Sequence, residues 1–318
     1  MKPGSILILG GTGFVGRACC EALSERSAST RIRVPTRRDR HADAVRSLPC
    51  VDVVVADLHD DATLARLVAG AGAVINLVAI LHGSRQAYAR VHVELPRRLA
   101  AACRAAGVRR LVHVSAIGVG ADAPSHYLRS KTEGEAVLQA AGLDLTLLRP
   151  SVIFGADDRF LNLFAQLQAL APLLPLAGGD ARFQPVWVED VAAAIVRCIA
   201  DDTTIGRTYE CVGPAEYTLA QLVALAGRWS GHERPQLPLP LALGKLQALA
   251  LECLPGTPLL SRDNLDSMRV PNVGSGTLPG LADLGIGATA LEAVAPRYLA
   301  ALDDCTRFDR WRARAGGA

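Results

Sequence analysis

Ile6-Leu7-Ile8-Leu9-Gly10-Gly11-Thr12-Gly13-Phe14-Val15-Gly16-Arg17 decides the fold. Four consecutive apolar residues predict a short buried strand. The strand runs straight into Gly10-x-x-Gly13-x-x-Gly16, and an amphipathic helix is expected from about Phe14. The three glycines serve, in turn, a tight turn, close backbone approach to a pyrophosphate, and close packing of helix on strand. The helix N-terminus adds unpaired N–H groups and the positive end of its dipole. A glycine triplet alone is weak evidence. Flanked by strand and helix, and followed by further β/α alternation, it predicts a dinucleotide site. Gly10, Thr12, Gly13, Phe14, Val15 and Gly16 are the contacts expected from this turn.

Working outward, residues 31–35, 51–55, 73–78, 110–115 and 143–148 read as further strands, with helices over 87–106 and 126–141. Short β-branched runs alternating with helical patterns mean parallel strands covered on both faces. The expected class is α/β, a doubly wound parallel sheet with its ligand crevice at the carboxyl ends of the strands. Beyond Pro150 the alternation breaks. Residues 151–179 look irregular around an apolar helix, 183–188 and 191–200 read as a strand and helix returning to the main sheet, and 208–212 as one more strand. A helix is expected over 217–230, and another, Leu-rich and flanked by prolines, over 241–254. We therefore expect a dinucleotide-binding domain over 1–155, completed by about 182–213. A smaller, mixed or helical capping domain would comprise 156–181 and 214–318.

The 318 residues are half hydrophobic and one-fifth charged, with a formal charge of +3. That balance suits a globular α/β protein and gives no argument for nucleic acid. Arginines gather at Arg31, Arg33, Arg37, Arg38 and Arg40, and again at Arg307, Arg310, Arg312 and Arg314. The second group reads as a solvated face or as a contact for anionic lipid. Eight cysteines without Cys-x-x-Cys or metal-like spacing suggest reduced, mostly buried thiols and no metal site. The first strand begins almost at once, so no secretory leader is expected. No apolar run reaches the roughly 20 residues that span a bilayer.

Cofactor choice turns on the end of the second strand, Val34-Pro35-Thr36-Arg37-Arg38, where no carboxylate occurs before Asp39. A guanidinium there can grip a 2′-phosphate and stack on adenine, so Arg37 and Arg38 favour NADP(H) over NAD(H). In the alternative, Asp39 reaches the ribose. Asp57 and Leu58 are placed for the adenine edge, and Asn76 to Ala79, including Leu77 and Val78, for the ribose and pyrophosphate.

Tyr127-Leu128-Arg129-Ser130-Lys131 sets a tyrosine and a lysine four apart on one helix face. An ammonium beside a phenol lowers its pKa and suits it to acid–base work, and lysine can also hold a nicotinamide ribose. Ser115 is the candidate third partner, with capping of the strand end as its plainer role. With the glycine turn, the pair resembles the short-chain dehydrogenase/reductase superfamily in its extended form. His92 and His113 read as packed, hydrogen-bonded histidines.

Further motifs occur in order. They are Val74-Ile75-Asn76-Leu77-Val78, Gly134-Glu135, Arg149-Pro150-Ser151-Val152-Ile153-Phe154-Gly155, Asp158-Arg159-Phe160-Leu161-Asn162 and Gln184-Pro185-Val186-Trp187-Val188 with Asp190. Leu237-Pro238-Leu239-Pro240, Ser261-Arg262-Asp263 and Leu278-Pro279-Gly280-Leu281-Ala282-Asp283-Leu284-Gly285 follow. Over nearly its whole length the chain resembles the atypical short-chain dehydrogenases typified by the alpha-subcomplex subunit 9 family of respiratory complex I, bacterial relatives included. The resemblance implies a tightly held NADPH outside the electron path, a peripheral place beside the membrane arm, and a structural or assembly role; other relatives are linked to ubiquinone biosynthesis. It puts the family's arginine on Arg37 and its Tyr and Lys on Tyr127 and Lys131, with Pro150 and Ile153 completing the cofactor contacts.

Three functions follow as expectations. The first is an NADP(H)-binding protein of a complex I or quinone-biosynthesis assembly, its cofactor structural. The second is a reductase or epimerase using Tyr127, Lys131 and Ser115 on a lipophilic, quinone- or isoprenoid-like substrate met by Phe160, Leu161, Phe164 and the Leu-rich cap. The third is an NADP(H) redox sensor. A cytoplasmic location is expected, or a peripheral one on the inner membrane face (the matrix side in a eukaryote), as monomer or homodimer. The 241–254 helix either packs on its own domain or lies in a lipid interface.

Overall fold

The computed structural model describes residues 4–26, 29–253, 255–256 and 258–300. The arginines at 307, 310, 312 and 314, and Leu254, lie outside the described residues. Strand β1 (Ser5–Leu9) buries Ile6 and Ile8 on one face and Leu7 and Leu9 on the other. A strand apolar on both faces belongs in mid-sheet. Six more parallel strands surround it: β2 (Arg31–Thr36), β3 (Val51–Val55), β4 (Ala73–Asn76), β5 (Arg110–Val114), β6 (Asp144–Pro150) and a last one over Thr208–Cys211. The order is β3-β2-β1-β4-β5-β6 followed by Thr208–Cys211. The chain starts in the middle, winds to one edge, returns and winds to the other. The reversal, beside β1 and β4, is where such sheets bind ligands.

Helix α1 (Phe14–Arg26) covers one face of the sheet. Between β2 and β4 run α2 (Asp43–Arg46) and α3 (Asp61–Val68). Then come α4 (Arg85–Tyr88), a π-helical turn (Ala89–Glu94), α5 (Leu95–Ala105) and α6 (His126–Gln139). Leu64 and Leu67 of α3, Leu95 and Leu99 of α5 and Leu138 of α6 bury the second face. The helix expected over 87–106 is thus interrupted by one wide turn.

Past β6, β7 (Ile153–Phe154), α7 (Leu161–Leu170), β8 (Leu174–Ala177), β9 (Arg182–Phe183) and β10 (Val186–Trp187) lead into α8 (Val188–Ala200), which returns to pack with α1. The run 183–188 does not join the main sheet. Pro185 lacks the N–H that a central ladder needs. The run divides there: β10 pairs with β7, while β9 pairs with β12 (Tyr217–Thr218), which follows β11, the sheet's Thr208–Cys211 strand. α9 (Leu219–Trp229), with a Thr218/Gln221 capping box, packs on α7. β13 (Gln236–Leu239) pairs with β8 and leads into α10 (Leu241–Glu252), and α11 (Arg262–Ser267) follows. Helix α10 turns Gly244 and Ala248 inward and leaves Leu241, Leu243, Leu246 and Leu249 exposed. No helix among the described residues is long and apolar enough to cross a membrane.

The cysteines Cys19, Cys20, Cys103, Cys198 and Cys211 are free and buried. Burial pushes every one of their thiol pKa values up, to about 11 for Cys103 and Cys198. Above pH ~8.5 the unfolded thiols lose protons that the folded ones keep, so stability present at neutral pH is lost as pH rises. Each thiol contributes up to ~1.4 kcal/mol per pH unit in that window. Urea midpoints are expected to be level from pH 7 to 8 and to fall above pH 9. A midpoint that rises there would contradict this burial.

Candidate dinucleotide site

The turn after β1 is built by contacts that exclude a side chain. Gly10 takes φ +85°, and a Cβ there would meet Leu77 and Val78 of the loop after β4 at 3.2–3.3 Å. A Cβ on Gly16 would fall 2.3 Å from the Gly10 carbonyl oxygen and 2.5 Å from the Gly11 Cα. Gly16 is therefore what lets α1 begin against the loop. The Gly13 N–H donates to the Gly10 carbonyl (3.0 Å). Gly11, not singled out by the spacing, is needed as well, since its Cβ would lie 2.8 Å from Val34 of β2.

Above this turn lies a cleft of about 330 Å³. Gly10, Thr12, Arg37, Arg38, Asp57, Leu58, Val78 and Ala79, all expected from sequence, line it together. Thr36, His41, His59, Ile80 and Val91 line it too and were not expected. The Thr36 hydroxyl, bonded to the Arg38 carbonyl at 3.1 Å, shapes the turn that presents both arginines. Asp39 is not among the lining residues and forms an exposed ion pair with Arg46. The carboxylate that does face the cleft is Asp57, whose Oδ1 accepts the His59 N–H at 2.9 Å. Burial, with the guanidiniums of Arg90, Arg98 and Arg37, lowers the His59 imidazole pKa below its ordinary value. The rim is cationic, as a phosphate would require.

The other expected contacts surround the cleft without lining it. Phe14, Val15 and Leu77 pack on the core of the α1 face. The Phe14 ring also lies against Gly155, whose Cβ would come within 3.1 Å of it. Arg17 of α1 reaches Asp157 at 2.9 Å, closing the chain after β7 over the helix start. Pro150 ends β6, its carbonyl accepting the Ile117 N–H, and Ile153 pairs with Val186.

Tyr127 and Lys131 share one face of α6. Ser125 caps this helix by accepting the Leu128 N–H. The buried Lys131 ammonium donates to the Val114 carbonyl at 3.0 Å, the last residue of β5. Burial lowers the Lys131 pKa to about 8 against the pull of Glu135, whose carboxylate is itself held by Arg149 (2.9 Å to Nε). Burial raises the Tyr127 phenol pKa to about 12. Ser115, next along from Val114, is buried and its hydroxyl has no hydrogen-bond partner. His113 receives a hydrogen bond from Asn76 on Nδ1 (3.1 Å), and its Nε2 is likewise unpartnered. Ser115, Tyr127 and Lys131 are not among the residues that line the cleft of about 330 Å³; the two unpartnered atoms, with a lysine spending one donor, leave polar capacity at the end of β5. No group of metal-ligating side chains occurs among the described residues.

Cap residues reach this site. Asp263 of α11 accepts the N–H groups of His126 (2.6 Å) and Tyr127 (3.0 Å). Asn264 donates to the Leu81 carbonyl (3.4 Å). Only the Ser261-Arg262-Asp263 motif hinted at this. Of the residues expected against substrate, Leu161 is buried in the core of the cap, while Phe160 and Phe164 are half-buried and pack against that core. An open cavity of about 310 Å³ in the cap is lined by Leu241, Leu265, Met268 and Pro271 on one hand and by Asp180, Arg182 and Arg269 on the other.

Residues 6–211 match the NAD dependent epimerase/dehydratase family. The mouse NADH dehydrogenase [ubiquinone] 1 alpha subcomplex subunit 9 (Mus musculus, mitochondrial) is 32% identical over 296 residues, 90% of this chain and 77% of that protein. A ceramide reductase of Caulobacter vibrioides is 36% identical over 61% of this chain and 60% of its own. The solved structure of an NADPH-dependent quinone oxidoreductase from Escherichia coli, complexed with NADPH, superimposes with a TM-score of 0.72 at 25% identity, covering 91% of this chain and 98% of that one. The chain belongs to the NAD dependent epimerase/dehydratase family, as a homologue of the alpha subcomplex subunit 9 proteins of complex I.

Proposed function

We propose that the protein binds NADP(H) as a structural ligand and serves a complex I or quinone-handling assembly, docked peripherally to it. The observation that carries the cofactor choice is the end of β2: Arg37 and Arg38 line the cleft while Asp39 is spent on Arg46. In this reading the two guanidiniums hold the 2′-phosphate, the glycine turn and α1 the pyrophosphate, and Lys131 the nicotinamide ribose. The structural role is supported by the cap. Asp263 and Asn264 tie α11 to α6 and to the loop after β4, so a ligand between these elements holds both halves of the chain together. A site filled at a thousand times its Kd adds ~4 kcal/mol to stability. The domain reading goes with it, residues 1–155 with about 182–213 as the binding unit and 156–181 with 214–318 as the cap, with one change: Leu281 and Leu284 pack into the core of the sheet's α1 face, and the Pro279 carbonyl accepts the Glu210 N–H, so this stretch belongs with the binding unit.

A second reading rests on the unpartnered Ser115 hydroxyl. A nicotinamide dinucleotide held by the glycine turn and Lys131 would supply hydride chemistry there. Ser115 then orients a carbonyl or quinone oxygen, the Tyr127 phenol delivers its proton, and the Lys131 ammonium favours the phenolate left behind. The ceramide reductase and quinone oxidoreductase relatives point to a lipophilic substrate. Incubating the NADPH-loaded protein with quinones and long-chain ketones, and following absorbance at the reduced nicotinamide band, separates the two. The structural reading expects no oxidation and no exchange with added cofactor over hours. Turnover that Tyr127→Phe abolishes, with cofactor still bound, would establish the enzyme instead.

A further inference from the structure

The π-turn that interrupts the helix before α5 points His92 at two elements at once. Its Nε2 accepts the Ile80 N–H at 3.1 Å, and its Nδ1 lies 2.8 Å from the Ser130 hydroxyl. That hydroxyl gives its one proton to the Tyr127 carbonyl at 2.7 Å. Every role in the chain is then forced. Nε2 accepts, so the proton of the neutral ring is on Nδ1 and goes to Ser130. A second proton on the ring would set an N–H against the Ile80 N–H. Burial, with Lys131 nearby, lowers the His92 pKa to about 3, so the neutral form persists. The ring is boxed as well, with Tyr88 5.6 Å and Tyr127 5.5 Å away between centroids. Behind it, Gly134 lets α6 come so close that a Cβ would stand 2.0 Å from the His92 carbonyl oxygen.

Ile80 lines the dinucleotide cleft, and Tyr127 opens the helix that carries Lys131. We infer that His92 is a positioning residue that couples the cofactor loop to Tyr127 through Ile80, Ser130 and the π-turn. This rests on the dinucleotide reading above. A ligand that orders residues 78–81 thereby orders the first turn of α6, whose other end of the clamp is Asp263 of the cap.

The test is NADPH binding followed by hydrogen–deuterium exchange on the full chain. In the parent protein, NADPH is expected to slow exchange both at 78–81 and at 126–131. His92→Phe keeps the ring and loses both bonds; it should bind NADPH about tenfold more weakly. At saturating NADPH it should protect 78–81 as before and 126–131 less than the parent does, only as far as the direct contact of Lys131 with the ligand gives. Ser130→Ala, which deletes one hydroxyl and stays informative if His92→Phe does not fold, should uncouple the same segments. The double variant should be no worse than His92→Phe, because both cut one chain. His92→Gln, able to accept and donate along the same line, should recover part of the coupling. A structural role alone would lower the melting temperature and leave the NADPH-induced pattern intact, which would overturn the inference. A parent protein that binds neither NADPH nor NADH would overturn the dinucleotide reading, and the coupling with it.

Discussion

Arg37→Ala with Arg38→Ala is expected to weaken NADPH binding about a hundredfold while leaving NADH binding within about threefold of its starting value. Charge-assisted hydrogen bonds to a phosphate contribute ~1.5–3 kcal/mol. Losing that much costs one to two powers of ten in Kd. The pyrophosphate contacts are common to both dinucleotides and NADH loses only the stacking of a guanidinium on adenine, so its binding should change little. Asp39 is paired with Arg46 and is not among the residues that line the cleft, so it is not expected to take over the ribose. Titration of both dinucleotides by calorimetry reads the result directly. Equal losses for NADPH and NADH would mean that the arginines shape the loop and do not grip a phosphate.

Gly16→Ala is expected to abolish dinucleotide binding and to lower stability by ~2–3 kcal/mol, the range for overpacking a site that cannot relax. The obstacle is backbone on both sides: the Gly10 carbonyl at 2.3 Å and the Gly11 Cα at 2.5 Å. One methyl group must push α1 off the turn, which removes the helix N-terminus from the phosphate position. Gly70→Ala makes a useful contrast. Nothing lies within 4 Å of its added Cβ, so its effect should be limited to the strain of φ +76° and should leave binding unchanged. Urea denaturation and NADPH titration of both variants check this. A Gly16→Ala protein that still binds within twofold of the parent would contradict the packing role.

The sheet was legible because its central strands, β1 and β4 above all, are short, apolar and buried on both faces, and are bounded by turns of glycine and polar residues. Ile6–Leu9 and the glycine triplet alone place the first β/α unit. The dinucleotide cleft was legible for the same reason: its residues follow β1, β2, β3 and β4, and a doubly wound sheet brings those strand ends together. What stayed hidden depends on tertiary contact. A six-residue π-turn leaves no trace in helical periodicity, so Tyr88 to Leu95 look like ordinary helix and His92 like a packing residue. Asp263 stands far along the chain from Tyr127, and no local pattern says that it caps α6. Residues 183–188 read as a sheet strand because Phe183, Val186 and Val188 are apolar. Pro185 was the contrary sign, and the two fragments pair with other short strands instead. For the Leu-rich helix, sequence left packing and interface open. In the structure its small residues, Gly244 and Ala248, face inward, and four leucines face out.

What occupies the cleft of the purified protein is the decisive question. Denaturing the protein and identifying the released small molecule by absorbance and mass spectrometry is the most direct measurement. Stoichiometric NADPH or NADP+ is the predicted result. Release of NAD(H), or of no dinucleotide at all from a protein that also fails to bind added NADPH, would contradict it.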